Sequence, residues 1–182
     1  LSEGEIIQLN NTNASNFSED VYFEVIKKKT AALFATAAEA GAISVKSTDE
    51  MAEMSRQFGE LIGISFQIKD DIFDYYSSDV LGKPTGNDMR EGKLTLPVLY
   101  VLNTLRNPSM IELALKIRAL DASDEEIAYF IDYVKQNGGI EYATKVMKEY
   151  RNKALAVLPE TISEELKLAL TSFIDYVIER NK

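Results

Sequence analysis

The chain has 182 residues, with 20 basic and 29 acidic side chains, a net charge of −9, and no Cys, His or Trp. These counts exclude disulfide bonds and thiolate or imidazole chemistry, and they argue against a general nucleic-acid binder, which needs a basic surface. A bound metal would need oxygen ligands, which favours Mg²⁺, Mn²⁺ or Ca²⁺.

Nine glycines and four prolines punctuate the chain sparsely, which favours long helices over strands. The first predicted helix covers about 19–42, with Ser18 as its N-cap and Gly41 at its C-terminal end. The second covers about 47–76 and opens with the capping-box spacing of residues 47–50. Both predicted helices have several turns, so each can present several side chains of one site.

A glycine-containing loop at about 77–93 is predicted next, followed by shorter helices. Their predicted ranges are about 95–106, 108–119, 123–138, 140–157 and 164–180, with Asn107, Ser123 and Ser163 as N-caps. No run of 18 apolar residues exists, so no transmembrane helix is predicted. We interpret residues 1–182 as a single all-α domain.

Three carboxylates stand close together in the second predicted helix, at Asp70, Asp71 and Asp74, with Gln67 one turn before them. Spacings of three and four residues place these side chains on one helix face, where like charges repel unless a cation lies among them. Mg²⁺ suits such a set because it takes one or two carboxylates and completes its shell with water and phosphate oxygens. A charged helix face or a cap is the alternative interpretation.

Two glycines, Gly59 and Gly63, continue the row of Gln67 backward along the helix. Each costs about 1 kcal/mol in a helix relative to Ala, so the lack of a side chain must be useful. The row indicates either close contact with another helix or space for an apolar ligand below the metal.

Lys29 has the helical spacing of an apolar row formed by Tyr22, Ile26 and Leu33, whereas Lys28 points elsewhere. A lysine in such a row either extends its charged end to solvent or meets an anion in an interior polar site.

The loop after the carboxylates carries Lys83 and Lys93 beside glycines. Ordinary solvated lysines are the alternative, but ammonium groups next to an aspartate cluster can bind phosphate oxygens. Lysines and Asp-bound Mg²⁺ together describe a diphosphate site.

Several motifs now stand in a fixed order: Lys29-Thr30, Gly63, Gln67, Asp70-Asp71-Ile72-Phe73-Asp74, Gly82-Lys83 and Gly92-Lys93. This order resembles the C-terminal portion of trans-isoprenyl (polyprenyl) diphosphate synthases, most of all the bacterial octaprenyl and heptaprenyl types. The resemblance implies an all-α helical bundle, the later part of the isoprenoid (terpenoid) synthase fold.

The resemblance also implies residue roles. The metal ligands would be Asp70, Asp71 and Asp74, the allylic diphosphate would contact Lys29, Lys83 and Lys93, and the catalytic residues would be Lys29, Thr30 and Gln67. The cofactor would be Mg²⁺, with Mn²⁺ possible. Residues 180–182 resemble the basic tail that some members fold over the active site.

The sequence departs from the family pattern because it has no first aspartate-rich motif and no N-terminal basic set for isopentenyl diphosphate. We therefore expect a fragment that is inactive alone. Its apolar faces near Gly59, Gly63 and Phe66 would be uncovered, so we expect it either to self-associate or to need its N-terminal half for full order. The parent is expected to be a cytoplasmic homodimer that condenses isopentenyl diphosphate with an allylic diphosphate. The alternatives are a non-catalytic partner subunit of a heteromeric synthase and a terpene cyclase or squalene synthase relative.

Overall fold

The computed structural model describes residues 17–76 and 85–179, and within those two ranges the chain is helical and has no strand. In chain order the elements are α1 (Glu19–Ile26), a π-helical turn (Lys27–Ala31), α2 (Ala32–Ser44), α3 (Asp49–Phe73), α4 (Asn87–Arg90), α5 (Leu96–Leu105), α6 (Pro108–Arg118), α7 (Asp124–Gln136), α8 (Gly139–Val157) and α9 (Glu164–Glu179). The all-α prediction is confirmed.

Local capping chemistry starts most of these helices where the sequence predicted. The Ser18 hydroxyl accepts from the backbone N–H of Val21 at 3.4 Å, and Ser123 forms a reciprocal capping box with Glu126. Asn107 caps α6, with Pro108 in the first helical position. Because each cap satisfies N–H groups that have no partner inside the helix, these starts depend on nearby residues alone.

The predicted limits of the two long helices need correction. Thr48, not Ser47, caps α3, its hydroxyl accepting from the N–H of Met51 at 3.2 Å. The first helical stretch continues past Gly41 to Ser44, and the left-handed residue that follows is Lys46, with φ of 56°. A glycine signals a helix end only when the chain needs left-handed geometry there.

Two further features were missed. The first helical stretch is interrupted by the π-helical turn at Lys27–Ala31, which was predicted as plain α-helix. Helix α3 ends at Phe73, not Tyr76, and the segment predicted as a loop contains the short helix α4. Both deviations lie beside the predicted site.

Helix α3 lies at the centre of the bundle and packs against α2 on one side and α8 on the other. Its residues Ile62, Ile64 and Ile68 are at most 2 % exposed. Burial of each such side chain stabilises the fold by about 1.5–3 kcal/mol. The hydroxyl of Ser65, fully buried among them, donates to the carbonyl oxygen of Met147 at 3.2 Å and ties α3 to α8.

The glycine row of α3 is a close helix–helix contact. A Cβ added at Gly63 would lie 2.6 Å from Cα of Ala31, and one at Gly59 would lie 2.4 Å from the carbonyl oxygen of Phe34. No room for an apolar ligand exists at these two positions, because the π turn and α2 already occupy it. The space-for-ligand interpretation was wrong here.

We expect Gly63→Ala to destabilise the chain by about 1–3 kcal/mol, because the added methyl group has to displace the backbone of Ala31. Gly41→Ala is the matched control. A Cβ at Gly41 meets nothing within 4 Å, so this change should be neutral or stabilising by up to about 1 kcal/mol. Denaturant titrations of both variants provide the measurement, and equal effects would contradict the contact.

Candidate functional site

A cavity of about 160 Å³ opens between α1, the π turn, the C-terminal half of α3 and the segment 92–95. It gathers side chains that are far apart in sequence, including five of the predicted site residues. These are Lys29, Thr30, Gln67, Asp71 and Lys93. Two of the three predicted lysines and the amide therefore share one cavity with a predicted aspartate.

The π turn places two consecutive residues, Lys29 and Thr30, on the cavity wall. A π turn carries more residues than an α turn and occurs often at functional sites. Lys28 lies outside the cavity and forms a salt bridge with Glu24 at 2.8 Å. The predicted contrast between Lys28 and Lys29 is confirmed, although the apolar row is not, since Leu33 is 54 % exposed.

A chain of hydrogen bonds joins α1 and the π turn to α3 along this wall. The Thr30 hydroxyl donates to Oε1 of Gln67 at 2.6 Å, and Nε2 of Gln67 donates to Oδ1 of Asp71 at 2.9 Å. The Tyr22 hydroxyl donates to Oδ2 of Asp71 at 2.6 Å. Both carboxylate oxygens of Asp71 are thus engaged by protein groups.

The three motif aspartates have different surroundings, although their spacing predicted a shared face. Asp71 is 4 % exposed and turns into the protein, whereas Asp70 is partly exposed. Asp74 follows the last residue of α3, and its oxygens accept from the backbone N–H groups of Asn87 and Asp88 at 3.0 Å each. Asp74 therefore satisfies two N–H groups at the start of α4, whose N-cap residue is Gly86.

Asp88 brings a further carboxyl group to the cavity. Burial and the charge of Asp74 raise the pKa of Asp88 to about 6, while the nearby charges of Lys93 and Lys29 act in the opposite direction. Lys93 also pairs with Glu91 and thereby lowers the pKa of that carboxyl. The site combines one buried and one half-buried carboxyl group with lysine ammonium groups.

Burial and the charge of Asp88 raise the pKa of Asp71 to about 8. The folded chain therefore holds this proton more tightly than the unfolded chain does, so the stability that Asp71 contributes falls as pH rises between about 4 and 8. We expect Asp71→Asn to reduce this slope in metal-free buffer. Thermal unfolding from pH 4 to 8 measures it, and Asp132→Asn, which alters an exposed carboxylate of α7, should leave the slope intact.

Some predicted residues lie outside the described residues, and some residues that line the cavity were not predicted. Lys83 and the C-terminal residues 180–182, which resemble a basic tail, lie outside the described residues. Tyr22 and Arg118 line the cavity but were not predicted as site residues. Tyr22 could have been found, because it stands seven residues before Lys29 and thus on the same helix face. No sequence signal pointed to Arg118, which reaches the cavity from the end of α6.

Within residues 17–76 and 85–179, no three acidic side chains converge closely enough to form a ready metal-binding cluster. Over those same ranges, no helix is both long and apolar enough to cross a membrane. A metal ion at this site would thus need additional ligands, such as the oxygens of a bound anion.

The family model described as polyprenyl synthetase matches residues 1–134. The octaprenyl diphosphate synthase of Haemophilus influenzae is 35% identical, the match covering 100% of this chain and 55% of that protein. The heptaprenyl diphosphate synthase component 2 of Bacillus subtilis is 32% identical over 97% of this chain and 50% of its own. The chain spans about half the length of these curated relatives.

Solved structures of prenyl synthases superpose on this chain. The geranylgeranyl pyrophosphate synthase of Bacteroides thetaiotaomicron superposes with a TM-score of 0.93 at 51% identity, over 99% of this chain and 60% of its own. The polyprenyl synthase of Caulobacter crescentus, solved in complex with calcium and isoprenyl diphosphate, gives 0.90 at 32% identity, over 100% and 56%. The predicted later part of an isoprenoid synthase fold is confirmed.

Proposed function

Because the chain belongs to the polyprenyl synthetase family, we propose that it forms the allylic-diphosphate side of a trans-prenyltransferase active site. Its curated relatives are prenyl diphosphate synthases, and the family is one of enzymes. The proposed reaction joins isopentenyl diphosphate to an allylic diphosphate and releases inorganic diphosphate.

A single observation carries this proposal: two lysines and a hydroxyl–amide pair line one cavity. Lys29 and Lys93 bring positive charge, and Thr30 is hydrogen-bonded to Gln67 beside them. Ammonium groups placed in this way can hold anionic oxygens between them through charge-assisted hydrogen bonds. A diphosphate has the charge and the number of oxygens for that position.

Magnesium fits the donor set, which is entirely carboxylate oxygen. Mg²⁺ is bound in many enzymes by one or two carboxylates together with substrate phosphates, so a site without a complete protein cage suits it. From the predicted ligands Asp70, Asp71 and Asp74, we propose Asp70 as the direct one, because its side chain is partly exposed, whereas Asp71 is buried and Asp74 accepts from the first N–H groups of α4. Bound Mg²⁺ would supply neutralisation of the diphosphate charge.

The residues of this chain would act on the leaving group. Lys29 and Lys93, with Lys83 as a third proposed contact outside the described residues, would hold the diphosphate oxygens as negative charge develops on them. Their preorganised charge would lower the barrier to breaking the allylic C–O bond. Isopentenyl diphosphate would then add to the allylic cation, and loss of a proton would complete the cycle. Thr30 and Gln67 would lie beside the reacting carbons.

A non-catalytic partner subunit is the second candidate, because the Bacillus subtilis relative is named as component 2 of a heptaprenyl diphosphate synthase. The intact triplet Asp70, Asp71 and Asp74 favours the catalytic role, since a non-catalytic subunit has no need of these carboxylates. We also propose that the working protein is a cytoplasmic homodimer, as the family resemblance implies.

The Lys29 ammonium is the group to test. We define the reconstituted synthase as this chain coexpressed with the part of the Bacteroides thetaiotaomicron relative that its match leaves uncovered. There, Lys29→Ala should raise the KM for the allylic diphosphate and lower kcat, by roughly tenfold or more in kcat/KM, because a charged contact to the leaving group is lost. Steady-state kinetics measure both constants.

Lys28→Ala is the matched control, because Lys28 is the preceding residue of the same π turn and pairs with Glu24 on the surface. It should leave both constants within about twofold of the wild type. Equal losses from the two variants would mean that Lys29 does not contact the diphosphate.

A further inference from the structure

We propose that Tyr22 is a positioning residue that acts through Asp71 to fix the orientation of Gln67 and Thr30. The inference rests on the proposed function, because those two groups are the ones placed beside the reacting carbons. It departs from the motif-based prediction, in which Asp71 is a ligand of the metal.

The geometry begins with the Tyr22 hydroxyl, which donates to Oδ2 of Asp71 at 2.6 Å. Both residues are less than 9 % exposed, and both line the cavity. Where water is excluded, a hydrogen bond between two protein groups is stronger than the same bond in solvent, and leaving either group unpaired is costly. Tyr22 therefore holds one oxygen of Asp71 toward α1.

The other oxygen of Asp71 sets the direction of the Gln67 amide. Nε2 of Gln67 donates to Oδ1 of Asp71 at 2.9 Å, so Oε1 of the same amide faces the opposite way. There it accepts from the Thr30 hydroxyl at 2.6 Å. An amide has one donor end and one acceptor end, so a carboxylate at its donor end fixes the whole orientation.

The helical backbone holds this series of hydrogen-bonded side chains rigidly in place. Ser18 caps α1 one turn before Tyr22, and the π turn presents Thr30 to Gln67. Asp71 and Gln67 stand four residues apart on α3, the buried central helix. The four polar side chains thus bridge two packed helical segments. Loss of the Tyr22 hydroxyl frees Asp71 to rotate and removes the constraint on Gln67.

Tyr22→Phe tests this inference, because it keeps the ring and removes only the hydroxyl. Tyr75→Phe is the matched control, since the Tyr75 ring is also buried and its hydroxyl takes no part in the hydrogen bonds of Asp71, Gln67 and Thr30. In the 182-residue chain, the side-chain amide signals of Gln67 are followed by NMR. Tyr22→Phe should shift them and speed exchange of their protons, while Tyr75→Phe should not. Unchanged Gln67 signals in Tyr22→Phe would overturn the inference.

Kinetics of the reconstituted synthase give the second readout. Tyr22→Phe should lower kcat roughly tenfold or more at nearly unchanged KM, because a misaligned group slows the chemical step more than it weakens binding. In an Asp71→Asn background the same change should have little further effect, since Tyr22 and Asp71 act through the same series of hydrogen bonds. Equal, independent losses in both backgrounds would overturn the inference.

The two proposals fail separately. If the wild-type reconstituted synthase forms no product, the proposed function fails, while the Gln67 signals still decide whether Tyr22 orients the amide. If it forms product and Tyr22→Phe has wild-type kcat, the positioning role fails and the proposed function stands.

Discussion

Replacing Asp70 by Ala in the reconstituted synthase should lower turnover by roughly 10²- to 10³-fold, because the carboxylate proposed to contact Mg²⁺ is lost. Asp70 is partly exposed at the C-terminal end of α3, so the change removes little buried surface. The melting temperature should therefore stay near that of the wild type. Turnover at saturating substrate, measured over a range of Mg²⁺ concentrations, is the test.

Asp132→Ala removes an exposed carboxylate from α7, away from the cavity, and is the control for a general effect of charge. It should retain wild-type turnover. Wild-type turnover in Asp70→Ala would remove Asp70 from the metal site. A large fall in melting temperature would instead give it a structural role.

The 182-residue chain alone should form no prenyl product. It carries one aspartate-rich motif, and hydrated Mg²⁺ is held weakly unless several anionic groups share it. Incubation with radiolabelled isopentenyl diphosphate, an allylic diphosphate and Mg²⁺ measures product directly. Robust turnover would show that a single motif is sufficient.

The same chain should self-associate, because apolar side chains are exposed on and after α2. Leu33 is 54 %, Ile43 59 % and Val45 77 % exposed. These replace the patch predicted around Gly59 and Gly63, which α2 and the π turn cover. Light scattering over a concentration series measures the mass, and a sharply melting monomer at all concentrations would contradict the exposed-patch argument.

Helix identity and most helix starts could be predicted from sequence, because they depend on neighbouring residues. The capping box of Ser123 and the caps at Ser18 and Asn107 need only a side chain within three positions of an N–H group. The π turn could not be predicted, since its extra residue is stabilised by packing against α3. That turn also moved Leu33 out of the predicted apolar row.

The sequence predicted which residues belong to the candidate site better than it predicted their arrangement. Spacing placed Asp71 correctly near Gln67, to which it is hydrogen-bonded, yet it treated the three aspartates as equivalent. Only the tertiary fold brings the Tyr22 hydroxyl to Asp71 and the N–H groups of α4 to Asp74. Sequence spacing defines a helix face, whereas the partner of each carboxylate comes from a segment that is distant along the chain.

The central claim is that this chain supplies the allylic-diphosphate side of a prenyltransferase site. Product formation by the reconstituted synthase tests it most directly, with radiolabelled isopentenyl diphosphate and an allylic diphosphate, with and without Mg²⁺. We predict an elongated prenyl diphosphate that requires Mg²⁺ and is lost in Asp70→Ala. A folded, associated complex that forms no product, or forms it equally well with Asp70→Ala and Lys29→Ala, would contradict the account.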